Sequence, residues 1–134
     1  MDKTDKNYTA AIVGGGPAGM MAALFLADAK IKNVLLFERN ERLGKKLSAT
    51  GNGQGNISNE NMGAHRYFSS DTRKVAQVLS AFGKEDLVRF LTSLGGFFVS
   101  DGEGRIYPSS RQAASVTDIL RFALVERGVT VKTG

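Results

Sequence analysis

The sequence contains no cysteine. That excludes a disulfide framework and any site built on a thiolate, and it makes a reducing cytoplasm the expected compartment. Histidine is nearly as scarce. His65 is the sole example, in a polar stretch with no acid or nucleophile at motif spacing, so it reads as a solvated loop residue. Neither a catalytic triad nor a metal cluster is visible, and the catalytic residues stay unassigned. Long apolar runs are also missing. The run over residues 20–27 falls far short of the roughly 20 residues that cross a bilayer. The polar leader, residues 1–7, precedes a glycine loop rather than a cleavable hydrophobic region. No membrane association is expected. The charge of one sign is not concentrated either: 18 Lys and Arg against 13 Asp and Glu leave a net +5, scattered without a block, which gives a nucleic-acid partner little support.

What is present is the balance of a soluble globular chain. The 134 residues are 42% apolar and 23% charged, enough for one compact domain with its own core. Glycine, with 16 residues, clusters over 14–19 and 44–55, where it serves loops with special backbone geometry rather than helices or sheet interiors.

Hydrophobic patterning divides the chain into alternating elements. Residues 8–13 form a short β-prone run that stops at Gly14, as a strand buried in a parallel sheet would. Pro17 opens a helix reaching to about Lys30, rich in good helix formers. Residues 33–37 give a second apolar strand that ends at Glu38. Residues 41–62 are polar and glycine-rich, too long for a plain connection, and read as a binding loop. Ser69 or Ser70 is the expected cap of a helix carrying Val75, Val78, Leu79 and Phe82 on one face, with Gly83 as its end. A second stripe, Leu87, Phe90, Leu91 and Leu94, stops at Gly95. Residues 97–99 and 105–107 flank a turn and predict a hairpin. Residues 112–127 carry Val116, Ile119, Leu120, Ala123 and Leu124 on one helical face, and residues 129–132 read as a closing strand.

The chemistry-bearing motif is Gly14, Gly16 and Gly19, placed directly after a strand and opening a helix with Pro17 and Ala18 in its first turn. Gly14 permits the tight turn, Gly16 lets backbone approach a diphosphate, and Gly19 lets helix and strand pack closely. The unpaired N–H groups of the helix start favour an anion. Glu38, about twenty residues on, stands where a carboxylate can accept both ribose hydroxyls of an adenosine and repel a 2′-phosphate. Arg39, Lys45 and Lys46 add positive charge that suits a cofactor diphosphate.

Further motifs carry a family resemblance: Leu43-Gly-Lys-Lys-Leu47, Thr50-Gly-Asn-Gly-Gln-Gly-Asn-Ile-Ser-Asn59 and Gly104-Arg-Ile-Tyr-Pro-Ser-Ser-Arg-Gln-Ala-Ala-Ser-Val116. With the glycine fingerprint, they make the chain similar, essentially end to end, to bacterial FAD-dependent flavoproteins known as NAD(FAD)-utilising dehydrogenases and aminoacetone-oxidase-like proteins, which are considerably longer. The resemblance implies that residues 1–134 are the N-terminal part of an FAD/NAD(P)-binding domain, with the rest of that domain and a substrate domain absent. It also implies that Thr50, Gly51, Asn52, Gly53 and Asn56 approach the cofactor. Arg105, Tyr107, Pro108, Ser109 and Gln112 match the family's strand-to-loop motif. Two departures stand out: Gln54 and Gly55 occupy positions where the family has a basic residue and a cysteine.

The expected fold is α/β: a partial Rossmann-type FAD-binding domain with at least three parallel strands in the order three-two-one, helices, and a small β-hairpin insertion. The expected activity is that of an FAD-dependent oxidoreductase acting on a small-molecule substrate, with NAD(P)H a possible electron donor; the isolated chain is expected to hold FAD poorly, to lack turnover and to self-associate. The alternatives are an NAD-binding dehydrogenase domain, a non-catalytic nucleic-acid-binding module, and a folding fragment without a ligand.

Overall fold

The computed structural model describes residues 7–134. In chain order the elements are β1 (Ala10–Val13), α1 (Pro17–Asp28), β2 (Val34–Glu38), β3 (Ser58–Asn59), α2 (Thr72–Ala81), α3 (Lys84–Ser93), β4 (Phe98–Ser100), β5 (Arg105–Pro108), α4 (Ala113–Glu126) and β6 (Thr130–Thr133). They divide into two compact units. The first takes the described residues up to Ser48 together with Thr117–Gly134, and the second is Ala49–Val116. No helix among the described residues is long and apolar enough to cross a membrane.

The first unit is built on a parallel sheet ordered β1-β2-β6. Ala10 pairs with Val34 and Val13 with Phe37 on one side of β2; Leu35 pairs with Thr130 and Glu38 with Thr133 on the other. The expected order is therefore found, with the closing strand beside β2. Val34, Leu35 and Leu36 are all buried, which is why β2 reads as a continuous apolar run: a central parallel strand has no wet face. Met20, Ala23 and Leu24 of α1 and Leu120, Ala123 and Leu124 of α4 are likewise buried.

α1 starts at Pro17 as expected but stops at Asp28, two residues short of the expected end, because Lys30 turns into the left-handed region at φ 65°. The Asp28 carboxylate accepts from Arg127 Nε at 2.6 Å, tying the end of α1 to the chain just beyond α4. Gly19 meets the strand most tightly. A Cβ there would lie 1.9 Å from the Gly14 carbonyl oxygen.

The second unit contains an antiparallel sheet ordered β3-β5-β4. The expected hairpin is β4 and β5, with Val99 opposite Tyr107. Its turn is closed by Asp101, whose carboxylate accepts from the backbone N–H groups of Glu103 and Arg105 and from Arg105 Nε at 2.8 Å. β3 was not expected. It is two polar residues long and pairs with β5 through Ser58 and Ile106, too short to leave an alternating pattern in the sequence.

Two boundaries expected from sequence are corrected. The cap of α2 is Asp71, not Ser69 or Ser70: its side chain accepts from the N–H groups of Arg73 and Lys74, while the Ser69 hydroxyl accepts the Asp71 N–H. Gly83 does not end α2. Phe82 does, and Gly83 precedes α3, where its N–H donates to the Asp86 carboxylate at 2.9 Å. The apolar stripe of α2 is also less covered than its spacing implies, since Val78 is 65% exposed.

Two consequences follow for stability. Asp71→Ala should lower the unfolding free energy by about 1 kcal/mol in urea titrations, through loss of the α2 cap; Ser69→Ala should cost clearly less. Gly19→Ala should destabilise by more than about 2 kcal/mol, because its Cβ has no place beside the Gly14 carbonyl. A wild-type urea midpoint for Gly19→Ala would contradict the packing described.

Candidate functional site

A cleft of about 1000 Å³ opens at the C-terminal ends of β1, β2 and β6, with the start of α1 on its wall. Crevices at this end of a parallel sheet are where open α/β folds place their ligands. Of the residues singled out in the sequence, Gly14, Gly16, Pro17, Glu38, Arg39, Lys45 and Lys46 line it. Ala18 and Gly19 sit in the first turn of α1 but do not line the cleft.

The loop between β1 and α1 is shaped by hydrogen bonds at its base. Gly14, at φ 104°, donates its N–H to the Phe37 carbonyl at 2.7 Å. Gly15 has no room for a side chain, since a Cβ would lie 2.3 Å from Leu43 Cδ2 and 2.9 Å from Glu38 Cβ. Gly16 is the opposite case. A Cβ there would meet nothing within 4 Å, and its φ of −76° suits any residue. No protein neighbour therefore requires glycine at position 16, and the space left open belongs to the cleft.

Glu38, the last residue of β2, reaches across this loop. Its Oε2 accepts the Gly15 N–H at 2.8 Å, and its Oε1 accepts the Asn40 N–H at 2.8 Å together with the Asn40 side-chain amide. The Asn40 backbone N–H, then the Gly15 N–H, then the Asn40 amide hold the carboxyl below its usual range, and Arg39 adds to the effect. Glu38 thus stays ionised at neutral pH. Three of about four acceptor positions on the carboxylate are taken, which leaves one for a ligand rather than the two hydroxyl contacts expected from sequence.

The Leu43–Leu47 motif has a local explanation. Buried Leu43 packs against the glycine loop, Gly44 donates its N–H to the Gly15 carbonyl at 2.8 Å, and Ser48 donates back to Gly44 at 2.9 Å. This turn leaves Lys45 and Lys46 exposed on the cleft wall. Lys132 of β6 also lines the cleft, its Nζ 6.0 Å from the centre of the Phe37 ring. Glu38 is the single acid among the described lining residues, against four cations.

Gly15, Asn40 and Lys132 are the site residues that sequence reasoning missed. The middle glycine of an uninterrupted Gly14–Gly16 run was a usable signal for the first. An Asn two residues beyond the strand-ending acid could have suggested the second. Lys132, in a strand recognised only by its apolar neighbours, carried no signal.

In the second unit, Thr50–Asn56 folds tightly upon itself. Gly51, Asn52 and Gly53 are all left-handed, at φ 56°, 54° and 81°, and Gly53 and Gly55 both donate N–H groups to the Thr50 carbonyl. A Cβ at Gly51 would lie 2.8 Å from the Asn56 nitrogen, and one at Gly55 2.8 Å from Ala113 Cα. Asn52 and Gly53 are exposed. Tyr107 and Pro108 are buried, Arg111 stacks 4.4 Å from the Tyr107 ring, and the Arg105 guanidinium is engaged in closing the hairpin turn. His65 is exposed, in a short 3-10 turn. No group of acids and histidines able to hold a metal occurs among the described residues.

Comparison with known proteins bears on this arrangement. A 3-dehydro-bile acid delta(4,6)-reductase from Clostridium scindens is 42% identical over 127 residues, which are 92% of this chain and 30% of the reductase. The chain therefore spans less than a third of the length of that curated relative. The crystal structure of Thermovibrio ammonificans THI4 aligns with 93% of this chain and 38% of its own at a TM-score of 0.63, with 24% identity, a likeness of fold alone. The family model described as HI0933-like protein Rossmann domain matches residues 8–134. With a match of that extent, the chain belongs to the HI0933-like protein Rossmann domain family.

Proposed function

We propose that this chain is the ADP-binding, N-terminal part of an FAD-dependent oxidoreductase, and that FAD is held in the cleft of the first unit. The observation that carries the reading is the combination of an open space at Gly16, an ionised Glu38 with one acceptor position to spare, and four cations around it. A dinucleotide asks for these features: close backbone approach to a diphosphate, positive potential around it, and an acceptor for a ribose hydroxyl. Gly14, Gly16, Pro17 and the N-terminus of α1 would meet the diphosphate. Lys45, Lys46 and Arg39 would balance its charge, and Glu38 would take a ribose hydroxyl.

By the family resemblance, Thr50, Gly51, Asn52, Gly53 and Asn56 form a second set of cofactor contacts, of which Asn52 and Gly53 are the exposed members. When bound, FAD supplies the two-electron redox chemistry, exchanging hydride with a small-molecule substrate or with NAD(P)H. The reductase name of the Clostridium scindens relative supports that class of reaction. The cysteine-free composition suits the cytoplasm.

The absorption spectrum of the purified protein, followed by FAD titration, tests the reading. Weak but saturable FAD binding, without turnover, is expected of these 134 residues; tight NAD binding without affinity for FAD would favour the nicotinamide alternative. Gly16→Val should abolish FAD binding yet keep the far-UV circular dichroism of the wild type, because a Cβ at this position meets no protein atom and opens on the cleft. Glu38→Ala should weaken FAD binding by roughly ten- to a hundredfold through loss of a charged hydrogen bond. Unchanged affinity in both variants would move the cofactor elsewhere.

We further propose that the chain self-associates through β1. That strand is the edge of its sheet, it alternates half-buried and exposed residues, and Val13 is 88% exposed; an open edge of this kind is a template for pairing with another strand. Sedimentation should show dimers or larger species that grow with concentration, and a single monomeric species at every concentration would contradict it.

A further inference from the structure

Glu38 presents a shortage that the cofactor reading must resolve. A carboxylate has about four acceptor positions, two on each oxygen. Both on Oε1 are taken by Asn40, one by its backbone N–H at 2.8 Å and one by its side-chain amide. One on Oε2 is taken by the Gly15 N–H at 2.8 Å. An adenosine ribose carries two adjacent hydroxyls, both donors, and only Oε2 retains an acceptor for one of them.

The neighbour that uses up Oε1 also brings the missing acceptor. An ionised carboxylate can only accept, so the atom of the Asn40 amide turned toward it must be the NH2 group. The amide is planar, and its carbonyl oxygen, Oδ1, then faces away from Oε1. Asn40 lines the same cleft as Glu38. Among the described residues no donor reaches Oδ1, although Arg39, Lys45, Lys46 and Lys132 all line the cleft. An amide held by its nitrogen at the edge of a cleft, with its oxygen unengaged, is set to accept.

We infer that Asn40 is the second half of a two-residue ribose reader, in which Glu38 Oε2 accepts one ribose hydroxyl and Asn40 Oδ1 accepts the other. The inference rests on the dinucleotide reading above and adds a residue to it. The pair divides the task in a defined way: the N–H groups of Gly15 and residue 40 hold Glu38 whatever the side chain, and the Asn40 amide, bound to Glu38 through its nitrogen, leaves its oxygen to act on the ligand. A 2′-phosphate has no hydroxyl proton to donate at that position and places negative charge beside Glu38, so the pair selects an unmodified ribose.

Titrating the 134-residue protein with ADP, 2′-deoxy-ADP and 3′-deoxy-ADP, followed by NMR chemical shifts, tests this directly. In the wild type, loss of either hydroxyl should weaken binding about five- to tenfold. In Asn40→Ala, ADP should weaken by the same factor, and one deoxy nucleotide should bind the variant as well as it binds the wild type, while the other hydroxyl keeps its full effect. Asn40→Lys, whose ammonium can donate to Oε1 in place of the amide and offers no acceptor, should show the same loss of coupling, keeps the vacated Oε1 position from taking the second hydroxyl, and guards against a folding defect in the alanine variant. If both hydroxyls keep their effect in the two variants, Asn40 does not read the ribose and the inference fails. If both effects vanish together, Asn40 acts only by positioning Glu38 and the inference fails equally. Absence of any ADP binding to the wild type would instead remove the dinucleotide reading itself, and the inference with it.

Discussion

The first turn of α1 reaches the ends of β1 and β2 only because Gly15 and Gly19 have no side chains. At Gly19 the obstacle is the Gly14 carbonyl, 1.9 Å from where a Cβ would stand; at Gly15 it is Leu43 and Glu38 itself. Close approach here has a consequence beyond packing. It brings the Gly15 N–H within 2.8 Å of the Glu38 carboxylate, so the helix-opening loop and the end of the second strand are joined by a charged hydrogen bond across 23 residues of sequence. Such bonds are stronger than neutral ones. The cleft wall is therefore set by a steric allowance and completed by an electrostatic one.

The charges around the cleft follow from the same local architecture. Lys45 and Lys46 stand on its wall because Gly44 anchors their turn to the Gly15 carbonyl and Leu43 and Leu47 are buried on either side of them. A lysine pair in an unanchored loop would be a solvated patch and would contribute little to a specific site. Here the anchor is the loop that also carries the glycine fingerprint. Backbone donors and side-chain cations are thus positioned by one set of contacts.

Legibility of the sequence varied with the length and covering of each element. β2 was plain, because a strand buried on both faces must be apolar throughout, and Val34, Leu35 and Leu36 are. The opening of α1 was plain for a local reason, Pro17 following a glycine turn. β3 was not legible: two residues cannot establish a period, and Ser58 and Asn59 owe their strand conformation to pairing with β5. The α2 cap was misplaced by one or two residues because serine and aspartate are equally good caps in isolation; the Ser69 hydroxyl is used one step earlier, on the Asp71 N–H. In the site, the acid at the end of β2 was visible, but its occupancy was not. Glu38 meets Gly15 through tertiary packing, and Asn40 meets it through a turn whose geometry no spacing rule records.

The two glycine-rich segments achieve different ends with the same residue. In the first, Gly16 leaves a space that no protein atom fills. In the second, Gly51 and Gly55 are glycine because the protein itself is in the way: Asn56 and Tyr107 crowd one position, Ala113 the other, and both backbones are left-handed. This gives a physical account of one departure from the family pattern. At Gly55, φ is 79° and Ala113 Cα stands 2.8 Å from the place of a Cβ, so a cysteine could enter only with a different backbone in the loop or a shifted start of α4. Glycine at position 55 thus goes with both the tight loop and the present start of α4. Asn52 and Gly53, held left-handed by the turn, are exposed to solvent. They offer amide and backbone groups, which can bind and orient a cofactor but have neither the nucleophilicity nor the redox chemistry of a cysteine.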